Sequence, residues 1–345
     1  STLDHQCSFL QHPVDAASSD LLTYTSRSGK WKYVVMPYGI TIASAVFMEK
    51  MVETLGEGSD MLWFVVMVYI DDIIVATFTM RAHLVVLEDV LQRLSDKNLR
   101  LGRDKCHFMQ TEVVFLGRVV DENGVRPVPE KMDAIREIPK PEDAAAVRSF
   151  LAVAQWHMKR FAPEFSKHAA CLWDLTKGRT KNKTLQGKWT AEHEAAFEKI
   201  REMAATKLGN THFDPEKEVT VELDASPTTV NGILLQDGEL VFCVSRLLTS
   251  AKRDYAQVER ELLALEFTLT RLLRVYLLSP GRTFDAWTDH EPLLGLVRNS
   301  TCENKRLEKM KTSILEFLPK MRLRHISGED NYKSDYFTRV MPAAT

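Results

Sequence analysis

The stretch FVVMVYIDDIIV, at residues 64–75, places two adjacent carboxylates in the middle of an apolar run. Burying a charged carboxylate is costly unless a partner compensates its charge. A tight turn between two buried strands would instead hold Asp71 and Asp72 at a surface, where a divalent cation could neutralise them. Such an arrangement suits phosphoryl or nucleotidyl transfer by two metal ions. The alternative is a chance Asp-Asp pair in a hairpin, because Asp is a common turn residue.

The bulk composition is that of a soluble globular protein. The chain has 345 residues, a length typical of two or three domains, and is 45% hydrophobic and 27% charged. Its apolar runs are too short to cross a bilayer, and its first residues lack the pattern of a signal peptide. The 5 cysteines are scattered and form no Cys-x-x-Cys pair, which argues against a zinc site or a disulfide framework. These features predict an intracellular protein, cytoplasmic or nuclear, without a membrane partner.

Charge is unevenly distributed along a chain whose net charge is only −2. Residues 1–125 carry 11 basic and 16 acidic side chains, residues 126–209 carry 16 and 11, and residues 210–345 carry 18 and 20. A basic middle segment between acidic ends fits phosphate binding between two metal-binding regions. A solvated charged face explains the middle segment almost as well.

The hydrophobic pattern predicts an α+β fold. Residues 43–55 and 82–94 have helical periodicity, with Leu84, Leu87, Val90, Leu91 and Leu94 forming the apolar stripe of the second helix. Residues 31–36 are strand-like, and residues 113–120 predict a short hairpin that ends at Asn123-Gly124. Helices and strands therefore alternate with hairpins, as in α+β proteins.

Proline residues mark a change of organisation after residue 126. Helical patterns follow at residues 130–138, 143–154 and 191–205, with a basic, polar loop at residues 176–188. From Val219 onward, short apolar strands precede a helix at residues 255–273. We therefore expect three domains, at residues 1–125, 126–209 and 210–345, of which the middle one is mostly helical.

Two groups of acidic residues are candidates for metal binding. Asp4 lies near the start, with an aromatic Phe9 five residues later, and would join Asp71 and Asp72. The second group is drawn from strand ends and helix starts of the last domain: Asp224, Glu261, Asp289 and Asp335. Carboxylates at such positions can converge on a pair of hard cations such as Mg²⁺ or Mn²⁺. Each acid alone is more often a solvated surface residue, so the interpretation depends on the whole set.

The order of short motifs resembles a known family. Residues 4–9 (DHQCSF), 36–39 (MPYG), 69–72 (YIDD), 105–106 (KC) and 115–117 (FLG) resemble the palm of a gypsy-type LTR retrotransposon reverse transcriptase. Residues 124–127, 148–151 and 160–161 resemble the thumb of the same enzymes. Residues 223–226 (LDAS), 261–264 (ELLA), 288–290 (TDH) and 328–331 (GEDN), with Asp335, resemble their RNase H domain. The resemblance implies a palm, a mostly helical thumb/connection and an RNase H-like α/β domain.

The resemblance also implies roles for individual residues of the palm. Asp4, Asp71 and Asp72 would hold two divalent cations, Mg²⁺ or Mn²⁺, for DNA synthesis from dNTPs. Phe9 matches the aromatic residue that excludes ribonucleotides, although a core Phe is the alternative. Tyr38 matches a residue of the nucleotide pocket, and Phe115, Leu116 and Gly117 match the hairpin that steadies the primer end.

For the rest of the chain, the resemblance implies RNA cleavage and contacts to nucleic acid. Asp224, Glu261, Asp289 and Asp335 would hold two metals that activate water against the RNA strand of an RNA–DNA hybrid. His325 has the spacing of a catalytic histidine, with a surface loop histidine as the equal alternative, and Asn331 would order that loop. Arg148, Lys159 and Arg160, with the basic stretch at residues 177–188, would contact the template-primer backbone, and other parts of a Pol polyprotein are further expected partners.

The sequence also departs from the family pattern. It begins three residues before Asp4, so we expect the fingers, which grip the incoming triphosphate, to be missing and the palm to be N-terminally truncated. RNA-directed DNA polymerase with RNase H activity remains the first interpretation. A catalytically decayed or co-opted remnant that only binds nucleic acid is the alternative from a different class.

Overall fold

The fold consists of two units, each with its own core. The computed structural model describes residues 1–56, 65–177, 185, 187–271, 274–278, 282–299 and 304–327. The chain divides into Ser1–Glu122 and Asn123–Thr345, called here unit 1 and unit 2. The helices and strands confirm the predicted α+β class. The three-domain division stays a prediction. In the described part of the chain, no helix combines the length and the apolar character needed to span a bilayer.

Unit 1 surrounds a small antiparallel sheet with two long helices. Its strands are β1 (Thr2–Asp4), β2 (Thr23–Ser26), β3 (Gly29–Lys32), β4 (Val66–Tyr69), β5 (Asp72–Val75), β6 (Val113–Phe115) and β7 (Arg118–Val120). Its α-helices are α1 (Ala16–Leu21), α2 (Ala43–Gly56) and α3 (Met80–Asp96). The central sheet has the order β1-β5-β4, while β2 pairs with β3 and β6 with β7. A strand was predicted at residues 31–36, but β3 ends at Lys32, so the prediction is wrong for residues 33–36.

The core of unit 1 lies between the sheet and one face of each long helix. Phe47, Met51 and Leu55 of α2 are buried, four residues apart, as the helical period requires. In α3, the buried residues are Leu87, Val90 and Leu94, which lie on one face of the helix. The predicted apolar stripe is wrong at two residues, since Leu84 is 49% exposed and Leu91 is 37% exposed. The buried face of α3 is narrower than its apolar pattern.

The first part of unit 2 is a helical cluster. Its elements are β8 (Gly124–Pro127), α4 (Pro129–Glu137), α5 (Ala144–Met158), α6 (Phe165–Leu175), α7 (Ala191–Ala205) and β9 (Asn210–Thr211). Asp143 caps α5, since its Oδ1 accepts a hydrogen bond from the N–H of Ala146 at 2.7 Å. Helix α6 was not predicted from the sequence, although Phe165, Ala169 and Leu172 bury one helical face.

The second part of unit 2 is a five-stranded mixed sheet with helices. Its elements are β10 (Thr220–Ala225), β11 (Thr229–Gln236), β12 (Glu239–Leu247), α8 (Ser250–Arg253), α9 (Gln257–Arg271), α10 (Arg274–Leu277), β13 (Phe284–Thr288), α11 (Glu291–Arg298), α12 (Lys305–Ser313) and β14 (Met321–His325). The strand order is β12-β11-β10-β13-β14. The first three strands are antiparallel neighbours, whereas β13 runs parallel to β10 and β14 parallel to β13. The parallel pairs bring the C-terminal ends of β10, β13 and β14 to one edge.

Close helix–sheet packing in unit 2 depends on Gly232. A Cβ atom at this position of β11 would lie 2.1 Å from Oγ1 and 2.4 Å from Cγ2 of Thr268 in α9. Thr268 is fully buried, so it has no room to move away. Only glycine allows α9 to approach the strand so closely.

Candidate active sites

The sheet of unit 1 brings Asp4 and Asp72 together. They are paired residues of the antiparallel strands β1 and β5, and Tyr69 pairs with Asp72 on the other side to close a two-residue turn, Ile70-Asp71. The N–H of His5 donates a hydrogen bond to the carbonyl oxygen of Asp71 at 3.2 Å. Backbone pairing therefore holds three carboxylates from two distant parts of the sequence at one end of the sheet.

The turn that carries Asp71 has an unusual backbone. Ile70 has φ +54°, a left-handed conformation that is rare for a β-branched residue. Its N–H donates to Sδ of Met48 in α2 at 2.9 Å. Such a conformation costs of order 1–3 kcal/mol and persists only where the surroundings enforce it.

The three carboxylates repel one another. Burial raises the pKa of Asp72, and the negative charges of Asp71 and Asp4 raise it further, while Lys105 opposes them. Nζ of Lys105 lies 3.3 Å from Oδ1 of Asp4, and Asp4 raises the pKa of this exposed ammonium group. This contact is ionic without hydrogen-bond alignment, since Oδ1 of Asp4 is buried and accepts no hydrogen bond. A cationic group is thus already drawn to the acids.

The chemistry of this donor set fits a divalent cation. Hard carboxylate oxygens suit Mg²⁺ and Mn²⁺. Burial and, after it, the negative charges of Asp71 and Asp4 raise the pKa of Asp72, and a bound cation would compensate these charges. Within the described ranges of the chain, however, no three Asp, Glu, His or Cys side chains are arranged closely enough to hold a metal ion. The side chains would have to reorient for shared coordination.

Aromatic side chains of unit 1 form a contacting group around Phe9. The ring of Phe9 contacts Tyr38 edge-on at 5.5 Å between centroids and contacts the buried Phe47 at 5.6 Å. Phe9 is partly buried, whereas Tyr38 is 59% exposed. Phe9 thus belongs partly to the core, as one alternative held, and also supports an exposed aromatic ring.

The β6–β7 hairpin exposes a tight turn. Phe115 pairs with Arg118, and the two residues between them, Leu116 and Gly117, have φ +49° and +73°. Two positive φ angles are typical of the hairpin turn whose twist matches that of the strands. Phe115 is buried and anchors the hairpin, while Leu116 lies at its surface.

A second acidic group lies in unit 2. Asp224 of β10 pairs with Asn231 of β11, whose Nδ2 donates to Oδ2 of Asp224 at 3.3 Å. Glu261 of α9 is buried, and its Oε1 accepts from Nε2 of Gln257 at 2.7 Å. The same Gln257 amide lies 3.4 Å from the carbonyl oxygen of Ala225, which follows Asp224. Gln257 therefore connects the helix that carries Glu261 to the strand that carries Asp224.

Asp289 and His325 meet at the end of the parallel strands. Asp289 follows β13 directly, and Thr288 pairs with His325 at the end of β14. Nε2 of His325 lies 3.3 Å from the backbone carbonyl oxygen of Asp289, and both side chains are exposed. Asp335 and Asn331 lie outside the described residues.

The order of these elements agrees with comparisons to known families. Residues 2–120 match the family described as "Reverse transcriptase (RNA-dependent DNA polymerase)". Residues 189–285 match the one described as "RNase H-like domain found in reverse transcriptase". The chain carries a reverse transcriptase domain followed by an RNase H-like domain. The predicted resemblance to gypsy-type retrotransposon enzymes is confirmed at this level.

Sequence relatives of this chain are transposon polyproteins. The retrovirus-related Pol polyprotein from transposon 297 of Drosophila melanogaster is 31% identical over 340 residues, which are 99% of this chain and 31% of the relative. The Pol polyprotein from transposon gypsy of the same organism is 27% identical, covering 98% of this chain and 33% of the relative. The Tf2-3 polyprotein of Schizosaccharomyces pombe is 30% identical, covering 93% and 24%. The chain thus spans about a third or less of the length of these relatives.

Solved structures with a similar fold include those of a viral protein. The foamy viral protease-reverse transcriptase in complex with an RNA/DNA hybrid has a TM-score of 0.78 at 22% identity, covering all of this chain and 45% of that one. The same viral protein in complex with double-stranded DNA has a TM-score of 0.74 at 23% identity, covering 95% and 67%. At this identity, the likeness establishes the fold.

The arginines expected to contact nucleic acid have different surroundings in the structure. Nη1 of Arg148 donates to the carbonyl oxygen of Thr176 at 3.1 Å, so its guanidinium stabilises the end of α6. Arg160 is exposed, and its carbonyl oxygen accepts from Asn210 at 3.1 Å. The expected basic stretch contributes Lys177, which pairs with Asp174 at 2.6 Å, and residues 178–184 and 186 lie outside the described residues. The phosphate contacts stay a prediction.

Several residues around the two acidic groups were not assigned roles from the sequence. Lys105 was noticed only as part of a motif, because nothing local indicates that it reaches Asp4 across 101 positions. Gln257 lies four residues before Glu261, so the helical i, i+4 spacing could have revealed it. Asn231 could be found only from the register of β10 and β11.

Proposed function

We propose that this chain is an RNA-directed DNA polymerase with RNase H activity, with one active site in each unit. The observation that carries the proposal is the pairing of Asp4 with Asp72 beside the Ile70-Asp71 turn. It collects three partly buried acids at one end of the sheet, beside a turn. The match of residues 2–120 to reverse transcriptases supports this assignment.

In the polymerase site, Asp4, Asp71 and Asp72 are the proposed ligands of two cations, Mg²⁺ or Mn²⁺. Bound cations would lower the barrier by stabilising charge on the attacking and leaving oxygens. The three carboxylates would hold the cations in position. Their mutual repulsion is unfavourable in the absence of a cation, and cation binding would relieve it. Lys105 is drawn to Asp4 by the same charge.

The neighbouring groups would position the substrates of DNA synthesis. Tyr38, supported by Phe9, offers an exposed aromatic face to a dNTP, and Phe9 would crowd the sugar at its 2′ position. Leu116 and Gly117, on the rigid turn anchored by Phe115, would contact the primer end. The small Gly117 leaves its turn open to a close approach of the primer backbone.

In the RNase H site, Asp224, Glu261, Asp289 and Asp335 are the proposed metal ligands for hydrolysis of the RNA strand. The hydrogen bond from Gln257 fixes the carboxylate of Glu261, and Asn231 holds that of Asp224. His325, at the exposed end of β14, would move a proton to the leaving oxygen. Asn331 would order the segment that carries Asp335.

Nucleic acid is the proposed partner of both sites. The similar viral structures are complexes with an RNA/DNA hybrid and with double-stranded DNA, which supports a hybrid or template-primer as the substrate here. Arg160 is the better candidate for a backbone phosphate contact, because Arg148 already serves the end of α6.

Two assays on the purified chain test the two activities separately. We expect extension of a labelled DNA primer on RNA with dNTPs and Mn²⁺ to be abolished by Asp71→Asn. Cleavage of a labelled RNA–DNA hybrid should be abolished by Glu261→Gln and spared by Asp71→Asn. The matched controls are Asp20→Asn, on the exposed surface of unit 1, and Glu266→Gln, on the same helix as Glu261. Loss of both activities in Asp71→Asn would contradict two separate sites.

A remnant that binds nucleic acid without catalysis is the second candidate. It is favoured by the ionic contact of Lys105 with Asp4 and by the lack, among described residues, of three side chains arranged for metal binding. Under this alternative, a hybrid binds equally well in EDTA and in Mn²⁺, and no turnover occurs in either assay. Turnover that depends on Mn²⁺ and on Asp71 or Glu261 excludes it.

A further inference from the structure

Helix α3 carries an apolar face that the core of unit 1 does not cover. Met80, Leu84, Leu87, Leu91 and Leu94 follow the alternating four- and three-residue spacing of coiled-coil helices. Leu87 and Leu94 are buried in the core, whereas Met80, Leu84 and Leu91 are exposed. These three exposed side chains are called here the α3 row. An apolar row with this spacing is typical of a helix that packs against a second helix.

Helix α3 is formed and held in place without a partner. Oγ1 of Thr79 accepts a hydrogen bond from the N–H of Ala82 at 3.2 Å, which caps the first turn. Nε of Arg93 lies 2.9 Å from Oδ1 of Asp89, an ion pair across one turn of the helix. The buried side chains of α3 anchor it in the core of unit 1. A partner would therefore meet a surface that is already ordered, with little loss of conformational freedom.

One edge of the α3 row carries two opposite charges. Arg81 and Glu88 are exposed and lie seven residues apart, so they are on the same side of the helix and about 10 Å apart along its axis. Among the described residues, no ion pair engages either of them. The other edge of the row adjoins the core, because Leu87 and Leu94 are buried there. Only the edge with Arg81 and Glu88 therefore offers charges to a partner.

The apolar row and its charged edge share a midpoint. The midpoint of Met80 and Leu91 falls between residues 85 and 86, and that of Arg81 and Glu88 falls between residues 84 and 85. When a two-fold axis relates two antiparallel helices, the same edge of each helix meets its equivalent, whereas in a parallel pair opposite edges meet. An antiparallel pair centred here would place Met80 of each chain level with Leu91 of the other. It would also place Arg81 of each chain beside Glu88 of the other, in two equivalent contacts.

We propose that the α3 row is a dimer interface between two copies of this chain, in which the α3 helices pack antiparallel about a two-fold axis. The charge pattern favours a second copy over an unrelated partner, because the edge with Arg81 and Glu88 complements itself. The proposal goes beyond the two catalytic activities and does not depend on either of them.

The size of the α3 row indicates a weak dimer. The helix has 17 residues and is therefore about 25 Å long. A contact between two such helices is smaller than a standard protein–protein interface, which places it among weak, reversible associations. We expect a dissociation constant on the order of 10 µM. The dimer should therefore form and dissociate within the concentration range of a sedimentation experiment.

Sedimentation velocity of the full chain in EDTA, at about 1 to 100 µM, tests for this dimer. Leu84→Gln should weaken the dimer about tenfold or more, because it places a polar group in the middle of the apolar row. Val52→Gln, at an apolar residue of α2 with similar exposure, is the matched control and should leave association unchanged. Circular dichroism checks that both variants fold.

Two results of this experiment would overturn the proposal. A chain that stays monomeric up to about 100 µM would leave the α3 row to a different partner. A dimer that a folded Leu84→Gln variant does not weaken would place the interface on another surface. Weakening by Leu84→Gln but not by Val52→Gln supports the α3 row.

Exchange of the charged residues tests the antiparallel arrangement. Arg81→Glu would bring like negative charges together in its own dimer, and Glu88→Arg would bring like positive charges together, so each variant alone should associate about tenfold more weakly. An equimolar mixture of the two variants should recover the association, because both contacts of the mixed dimer then join opposite charges. Glu49→Arg makes the same change of charge on the exposed surface of α2 and is the control.

Sedimentation with fluorescence detection of one labelled variant measures the mixed dimer. If the two folded variants associate no better together than alone, the antiparallel pairing is wrong. Association that neither substitution weakens would also overturn the proposal. Because these measurements are made in EDTA without nucleic acid, a failure of the proposed DNA synthesis or RNA cleavage has no effect on their outcome.

Discussion

The backbone N–H of His5 donates a hydrogen bond to the carbonyl oxygen of Asp71 at 3.2 Å. This bond extends the β1–β5 pairing past Asp4 into the turn of the β4–β5 hairpin. The relative positions of Asp4, Asp71 and Asp72 are thus set by the backbone and not by their side chains. Removing one carboxylate should therefore change charge at this site without moving the strands.

We expect Asp72→Asn to stabilise unit 1 in EDTA while abolishing DNA synthesis. The raised pKa of Asp72 means that the fold disfavours its charged form, so a neutral amide should add about 0.2–1 kcal/mol to the free energy of unfolding. Thermal unfolding measures the change in stability, and hydrogen exchange of unit 1 assigns that change to this unit. Asp20→Asn, which breaks an exposed ion pair with Lys32, should change stability by less than about 0.5 kcal/mol in the opposite direction. A destabilised Asp72→Asn variant would contradict the predicted repulsion.

Addition of Mn²⁺ should make the wild-type chain more stable than Asp72→Asn, the reverse of their order in EDTA. Because the cations are proposed to bind the folded site, they should raise the melting temperature of unit 1 in the wild-type chain and less so in Asp72→Asn. The measurement is thermal unfolding at increasing Mn²⁺, with Ca²⁺-free buffer and EDTA as the reference. An equal shift in both chains would indicate binding elsewhere.

The left-handed backbone of Ile70 predicts an unusual tolerance to glycine. Ile70→Gly should stay within about 1 kcal/mol of wild type, because relief of strain offsets the lost side-chain packing. Ile74→Gly, at a buried position of normal backbone in β5, should cost about 3 kcal/mol or more. Chemical denaturation of both variants gives the comparison. Equal losses would show that the turn at Ile70 is unstrained.

Gly232→Ala should be strongly destabilising, and a change in Thr268 should rescue it. The added Cβ would lie 2.1 Å from Oγ1 of Thr268, which forces α9 away from β11. We expect a loss of about 3 kcal/mol or more, and recovery of about half in Gly232→Ala/Thr268→Ala, which removes the two nearest atoms. A double-mutant cycle of unfolding free energies measures the coupling. Additive effects of the two substitutions would rule out the direct clash.

Glu164 should contribute to the pH dependence of unit 2. The His168 imidazole, 3.8 Å away, lowers the pKa of Glu164 below its usual 4.5, and Lys167 adds to the effect. A lowered pKa in the folded state stabilises the protein above pH 4.5, and this contribution is lost as the pH falls through the folded value. Glu164→Gln should therefore lose up to about 1 kcal/mol at pH 7 and nothing near pH 2. Glu202→Gln, which removes a more exposed ion pair with Lys199, is the control. A loss of stability in Glu164→Gln that does not change with pH would contradict the lowered pKa of Glu164.

The sequence determined those features that depend on neighbours in the chain. The period of apolar residues predicted α2 at residues 43–55, and the structure has Ala43–Gly56; the prediction of residues 191–205 agrees with α7. The adjacent Asp71 and Asp72, with the apolar residues on either side, predicted the β4–β5 hairpin. These elements follow from local periodicity and turn chemistry, which a single sequence contains. Helix α6 was missed because its pattern is adjacent to a polar, basic stretch that indicated a loop.

Tertiary structure alone decided which distant groups meet. The ionic contact of Lys105 with Asp4 and the Gln257 link between Glu261 and Ala225 each join residues on different elements. The width of the buried face of α3 was also decided there, since Leu84 and Leu91 have the right period but no covering layer. A sequence pattern specifies which face of an element is apolar. Only the packing of elements in space specifies which charges approach one another, and their interaction depends on distance and burial that the sequence does not contain.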